Sequence, residues 1–180
     1  MCLHTHVTRR FRPKWRIRNG GLTSARRNEK MRLRKKTVGN VKQNTSCEEK
    51  LEVKFIDCYK GSGVFAVGSI AKDKLLTHYE GELISKEEGN RRHESYSNRD
   101  GSFLFFFKYK KKNFCIDATH SSGIGRMVND NHKKPNSKVV VEEVDGHPVL
   151  SIYSIRLIHT GEEICFDYQD PSVPWRKFLA

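Results

Sequence analysis

The chain has 180 residues, which suits one ordinary domain with a tail, and 36% of them are hydrophobic, enough for a modest core. No apolar run approaches the ~20 residues that a membrane-spanning helix needs, and no apolar block follows the basic N-terminus, so neither a transmembrane helix nor a secretory signal is expected. The net charge of +13 is unevenly placed: residues 1–45 hold 14 Lys or Arg and one acid, Glu29, while the basic and acidic side chains of residues 46–180 cancel.

Residues 1–45 show no sustained periodicity. "TRRFRPKWRIRNGG" mixes Arg with Phe11, Trp15 and Ile17, and "RRNEKMRLRKKTVG" is mostly charge. Such a segment cannot bury enough apolar surface to offset its ordering entropy, so it is expected to be a disordered basic tail, with room for a short helix over 24–36. A basic arm binds DNA or RNA by releasing counterions and needs no fold to do so; it also suits nuclear localisation. The plainer alternative is a solvated tail with no specific role.

Residues 46–180 read as a folded domain. "LEVKFIDCY" alternates apolar and polar residues, as a half-buried strand does. "KGSG" interrupts it as a turn, and "VFAVGSI" resumes an apolar run. "KLLTHYEGELIS" reads as one further strand, closed by Gly81. "SKEEGNRRHESYS" predicts a helix with Ser85 as N-cap and Glu88 three residues later. "SFLFFFKYKKKNFCIDAT" predicts a hairpin that turns in its lysine run, and "KVVVEEVDGHPVLSIYSIRLI" a second one that turns at Asp145-Gly146. "GEEICFDYQD" then predicts a turn and a half-buried strand with Phe166 and Tyr168 on one side. Many short strands and few helices imply a mainly β domain. The five cysteines (Cys2, Cys47, Cys58, Cys115, Cys165) are odd in number and lack CxxC or CxC spacing, which fits free thiols and gives no cysteine-built zinc site.

Three stretches suggest chemistry. Gly61 and Gly63 flank Ser62 directly after a strand, where glycine lets a ligand approach the backbone; a lone GxG is weak, and it does not extend into a GxGxxG dinucleotide pattern. "GRMVNDNHKKPN" gathers Arg126, Asn129, Asp130, Asn131, His132 and Asn136 after an apolar run, and so many polar groups near a core must find partners. The aromatic residues are dense, and Tyr79 and Tyr168 carry hydroxyls that need partners if buried.

Strand–GxG, then Tyr79-Glu80-Gly81, then "GRMVNDNHKKPN", then "GEEICFDY", in that order, resemble the SET-domain protein-lysine methyltransferases. "CIDAT", the "DGHPVL" hairpin and Pro174-Trp175 resemble the subgroup that monomethylates a histone H4 lysine. The resemblance covers roughly residues 48–180. It implies small β-sheets around a knot-like C-terminal crossing, S-adenosyl-L-methionine on one face, and a lysine channel from the other. It implies Tyr168 as the catalytic tyrosine at the methyl-transfer pore, Tyr79 as a channel wall, and Phe166 at a position that switches between Phe and Tyr. On the cofactor side it implies Lys60, Gly61, Ser62, Phe103, Asn129, Asp130 and Trp175. The subgroup's Tyr at position 166 crowds out a second methyl; Phe removes that hydroxyl, so more than one methyl is expected. Three departures fall on the cofactor side: Asn129-Asp130, with Asn131-His132 just after as a second register, stands where the family has Asn-His, Phe103 where the subgroup has Tyr, and the segment before Pro174-Trp175 is shorter.

The function implied is methylation of a histone lysine, H4 by likeness, in nuclear chromatin, by a monomer. Two rivals stand beside it: a catalytically weak SET-like domain that binds chromatin, and a basic nucleic-acid-binding protein whose β domain is a scaffold.

Overall fold

A computed structural model describes residues 46–58, 60–96 and 103–169. The basic tail, the helix expected over 24–36, and Trp175 lie outside the described residues.

Ten strands among the described residues form three small sheets. The first contains β1 (Leu51–Asp57), β2 (Gly61–Ala66), β10 (Glu163–Phe166) and β7 (Asn129–Asp130), in that order. The second runs β3 (Leu75–His78), β9 (His147–Ser154), β8 (Ser137–Val144). The third runs β4 (Glu82–Ser85), β6 (Lys112–Asp117), β5 (Leu104–Tyr109), with helix α1 (Lys86–Tyr96) packed on it. The mainly β expectation holds.

Local signals explain several elements. The Glu88 amide donates to Ser85 Oγ at 3.2 Å, so the expected N-cap forms. Both hairpins form where their turns were expected. Lys110 and Lys111 take φ of 46° and 64°, and Asp145 and Gly146 take 51° and 79°, the left-handed pairs that two-residue hairpin loops need.

Three expectations need correction. "KLLTHYEGELIS" is two strands, β3 and β4, in different sheets; the chain changes sheet between His78 and Glu82. The GSG stretch is not a turn but the start of β2, with Ser62 opposite Phe55 and Gly63 opposite Lys54. β1 forms as expected but is not half-buried by its apolar face: it is an edge strand, with Val53 43% and Phe55 68% exposed.

The main core contains Val64, Ala66, Ile70, Leu76, Val128, Ile152, Ile158, Ile164 and Phe166. Most of these are fully buried, each stabilising by about 1.5–3 kcal/mol when large. A second cluster, Tyr79, Ile116, Ala118 and Leu150, lies against β5.

Candidate active site

Strand β10 organises the site. It pairs antiparallel with β2, Ile164 opposite Val64, and parallel with β7, Cys165 opposite Asn129 and Phe166 opposite Asp130. The loop after β7 then clasps it. The Asn136 side chain donates to the Glu163 carbonyl at 2.7 Å and accepts from the Cys165 amide at 2.9 Å. Ser137 Oγ donates to the Cys165 carbonyl at 2.8 Å. Asn136 and Ser137 are buried, so these bonds satisfy backbone groups that water cannot reach. The result is the C-terminal crossing that the resemblance implied.

The crossing brings aromatic rings from three sheets into one row. Tyr79, just past β3, has its ring centroid 5.3 Å from that of Phe105 on β5. Phe105 is 6.1 Å from Phe166 on β10, and Phe166 is 4.8 Å from Tyr168. All three ring pairs are tilted, the arrangement the ring quadrupoles favour over a face-to-face sandwich. Tyr168 donates its hydroxyl to the Val128 carbonyl at 2.7 Å, and its amide to Asp130 Oδ1 at 3.0 Å. Burial pushes the Tyr79 phenol well above its ordinary range, and the neighbouring Tyr168 adds to this. Tyr79 is therefore a neutral hydroxyl at physiological pH.

A polar group lies on the other side of β10. Lys60 Nζ meets Glu163 Oε2 at 2.5 Å, and the Asn129 side chain donates to Glu163 Oε1 at 2.7 Å and to the Ser62 carbonyl at 3.2 Å. Gly63 leaves the space for this: a Cβ there would lie 2.8 Å from Glu163 Oε1 and 2.9 Å from Asn129 Nδ2. Lys60, Gly61, Ser62 and Asn129 are thus brought together with Glu163, which lies 103 residues after Lys60 in the sequence.

Phe103 has a different neighbourhood. It packs on the Tyr79 cluster, with the Arg126 guanidinium 4.6 Å above its ring. Arg126 is itself held by the Ala118 and Thr119 carbonyls, at 3.2 and 2.8 Å.

The sequence marks neither Phe105 nor Glu163 for the site, and it marks Asn136 only as one of several polar groups that must find partners. Phe105 carried no signal that separates it from its neighbours Phe106 and Phe107. For Glu163 a signal existed, since two adjacent acids seldom serve the same purpose on a strand. Glu162 faces out to Arg156 at 2.8 Å, and Glu163 turns in to Lys60 and Asn129.

This arrangement belongs to a known class. The chain is a member of the SET-domain family: the model described as "SET domain" matches residues 61–169. It is similar to histone-lysine N-methyltransferase set-1 of Caenorhabditis elegans, 36% identical over 137 residues, covering 71% of this chain and 56% of that protein. It is also similar to N-lysine methyltransferase KMT5A-A of Danio rerio, 32% identical over 139 residues, covering 72% and 40% respectively. Among solved structures it resembles the crystal structure of CpSET8 from Cryptosporidium, with a TM-score of 0.62 and 37% identity over 67% of this chain and 57% of that one. The chain spans only about half the length of these relatives.

Proposed function

We propose that this protein is an S-adenosylmethionine-dependent protein-lysine N-methyltransferase that acts on a histone-tail lysine, of H4 by subgroup likeness, in nuclear chromatin. The observation that carries the reading is the ring row from Tyr79 to Tyr168, set beside the Lys60–Glu163–Asn129 group within one SET fold.

The polar group suits the cofactor chemically. Its amino-acid end carries a carboxylate, for which Lys60 is a counter-charge, and an ammonium, for which Glu163 and the Ser62 carbonyl are acceptors. Gly61 and Ser62 offer backbone at close range, Asn129 and Asp130 border the crossing, and Trp175 takes the adenine-stacking role. Phe103 takes its role from the Arg126 side. When bound, S-adenosylmethionine supplies an electrophilic methyl group on a cationic sulfur.

The chain's own residues then have three tasks. The first is to favour the neutral amine, since a free lysine has a pKa of ~10.4. The apolar walls of Phe105 and Phe166 disfavour an ammonium, because they offer it no compensating charge. The second is to orient that amine. Tyr168's hydroxyl proton is committed to the Val128 carbonyl, so its oxygen presents lone pairs to an incoming N–H. Neither phenol is a strong base, and Tyr79 stays protonated and able to donate. The third is to exclude water, to which the buried rings of Tyr79 and Phe166 contribute. Transfer would require nitrogen, methyl and sulfur to be nearly in line, so what these residues would supply is chiefly position.

The test is transfer of a radiolabelled methyl group to histones and nucleosomes, with and without residues 1–45. Labelling of a histone lysine supports the reading. Absence of cofactor binding by calorimetry, together with no transfer to any histone, would favour the chromatin-binding alternative.

A further inference from the structure

We propose that Asp130 is a positioning residue that fixes Tyr168, so that the carboxylate standing at the family's histidine position serves the tyrosine. The proposal rests on the reading of Tyr168 as the phenol of the methyl-transfer pore.

Tyr168 lies two residues beyond the end of β10, where the strand ladder stops. The chain bends immediately afterwards: Gln169 takes a left-handed φ of 55°, and its amide donates to Asp167 Oδ1 at 2.8 Å. A residue between a strand end and a bend is set by whatever else grips it. Here both ends of Tyr168 are gripped by one three-residue segment. Its amide donates to Asp130 Oδ1 at 3.0 Å, and its hydroxyl donates to the Val128 carbonyl at 2.7 Å. That segment is itself tied to β10, by the parallel pairing of Asp130 with Phe166 and by the Asn131 amide donating to the Phe166 carbonyl at 3.1 Å.

Asp130 is 8% exposed, so its carboxylate is held largely out of water. A buried carboxylate is tolerated where N–H donors meet it, and the Tyr168 amide is one. A side-chain oxygen at this reach is what the geometry uses. The ring of Tyr168 then sits at 4.8 Å from Phe166 because backbone and hydroxyl are fixed together. Without the amide anchor, one of the two hydrogen bonds that tie Tyr168 to the 128–130 segment is lost, and the 167–168 segment is freer to rotate. Displacement of a reacting group by about 1 Å is enough to cost on the order of 100-fold in rate.

The experiment combines steady-state kinetics on a histone-tail peptide, calorimetric cofactor binding, and amide hydrogen exchange at Tyr168. Asp130→Ala is expected to lower kcat by at least about tenfold, with cofactor Kd and peptide KM within about threefold of wild type. Asp130→Asn keeps an oxygen acceptor and is expected to hold kcat within about threefold. The Tyr168 amide is expected to exchange slowly in wild type and Asp130→Asn, and quickly in Asp130→Ala. An unchanged kcat in Asp130→Ala, or a loss that appears in cofactor affinity, overturns the proposal. Should Asp130→Ala fail to fold, the other arms decide. Fast Tyr168 exchange in wild type, or an Asp130→Asn variant as slow as Tyr168→Phe, also overturns it. An inactive wild-type chain would defeat the methyltransferase reading instead, and the exchange arm alone would then judge the anchor.

Discussion

Tyr79 and Tyr168 share a chemistry and differ in their settings. Tyr79 is buried and kept neutral by desolvation, whereas Tyr168 is half-buried and points its proton at a backbone carbonyl. That difference suits Tyr79 to lining a channel and Tyr168 to orienting an amine. Replacing Tyr168 by Phe is therefore expected to lower kcat by about 100-fold or more while cofactor affinity stays near wild type, measured by radiolabel transfer and calorimetry. Phe166 and Phe105 both lack a hydroxyl beside this phenol, so neither position adds a polar group that could crowd a methylated amine. Mass spectrometry of a fully reacted peptide should then show more than one methyl, and Phe166→Tyr should shift the product to one. The thiols divide as sharply. Burial pushes both Cys115 and Cys165 up to about 12, so neither offers a thiolate at neutral pH. Alkylation followed by peptide mapping should label exposed Cys58 in the native protein, and Cys115 and Cys165 only after unfolding.

Helix α1 shows how an element is held to its sheet by charge as well as by packing. Arg92 bridges Glu88 on its own helix at 2.9 Å, Glu82 on β4 at 2.6 Å and Asp117 on β6 at 2.8 Å, and the Tyr96 hydroxyl donates to Asp117 at 3.0 Å. Burial alone would raise the Asp117 carboxyl, but hydrogen bonds from Arg92, Thr119 and Tyr96 outweigh it and hold its pKa below the usual range. A depressed carboxyl stabilises fully above the unfolded value of ~3.9 and loses that share as pH falls through the folded value. Urea midpoints should accordingly drop below about pH 4 in wild type, and less steeply in Asp117→Asn, which starts from a lower plateau. Gly89 sits where the helix touches β5 and β6: a Cβ there would lie 2.8 Å from Cys115 Cβ and from Phe106. Gly89→Ala gains about 1 kcal/mol of helix propensity and meets an overpacking cost of about 1–3 kcal/mol. The balance is destabilising, so the variant should unfold at lower urea. The Ser85 cap and the two hairpin turns were legible because their determinants lie within four residues. The β3–β4 break was not, because "LLTHYEGELI" carries no strong breaker except Gly81, and the choice of sheet is made by partners 29 or more residues away.

Along the whole chain, the net charge of +13 falls on residues 1–45, and the charges of residues 46–180 cancel. Removing residues 1–45 should abolish salt-sensitive DNA retention in a gel shift while transfer to a short peptide survives. Retention unchanged by the deletion would place the polyanion contact in the folded part. The grouping of these residues was legible as four motifs in order: Tyr79, Phe166 and Tyr168 fall in one ring row, and Lys60 and Asn129 meet at Glu163. What the motifs did not reveal was the wiring between them. Glu163, Asn136 and Asp130 act across separations of 27 to 103 residues, and no local pattern encodes which side chain each will meet. The most direct trial of the whole account is a crystal structure of the protein with demethylated cofactor and a lysine peptide. The lysine amine is expected between the Tyr79 and Tyr168 rings, within hydrogen-bond reach of the Tyr168 hydroxyl and facing the cofactor sulfur. A lysine bound elsewhere, with the two phenols walled off from the cofactor, would contradict it.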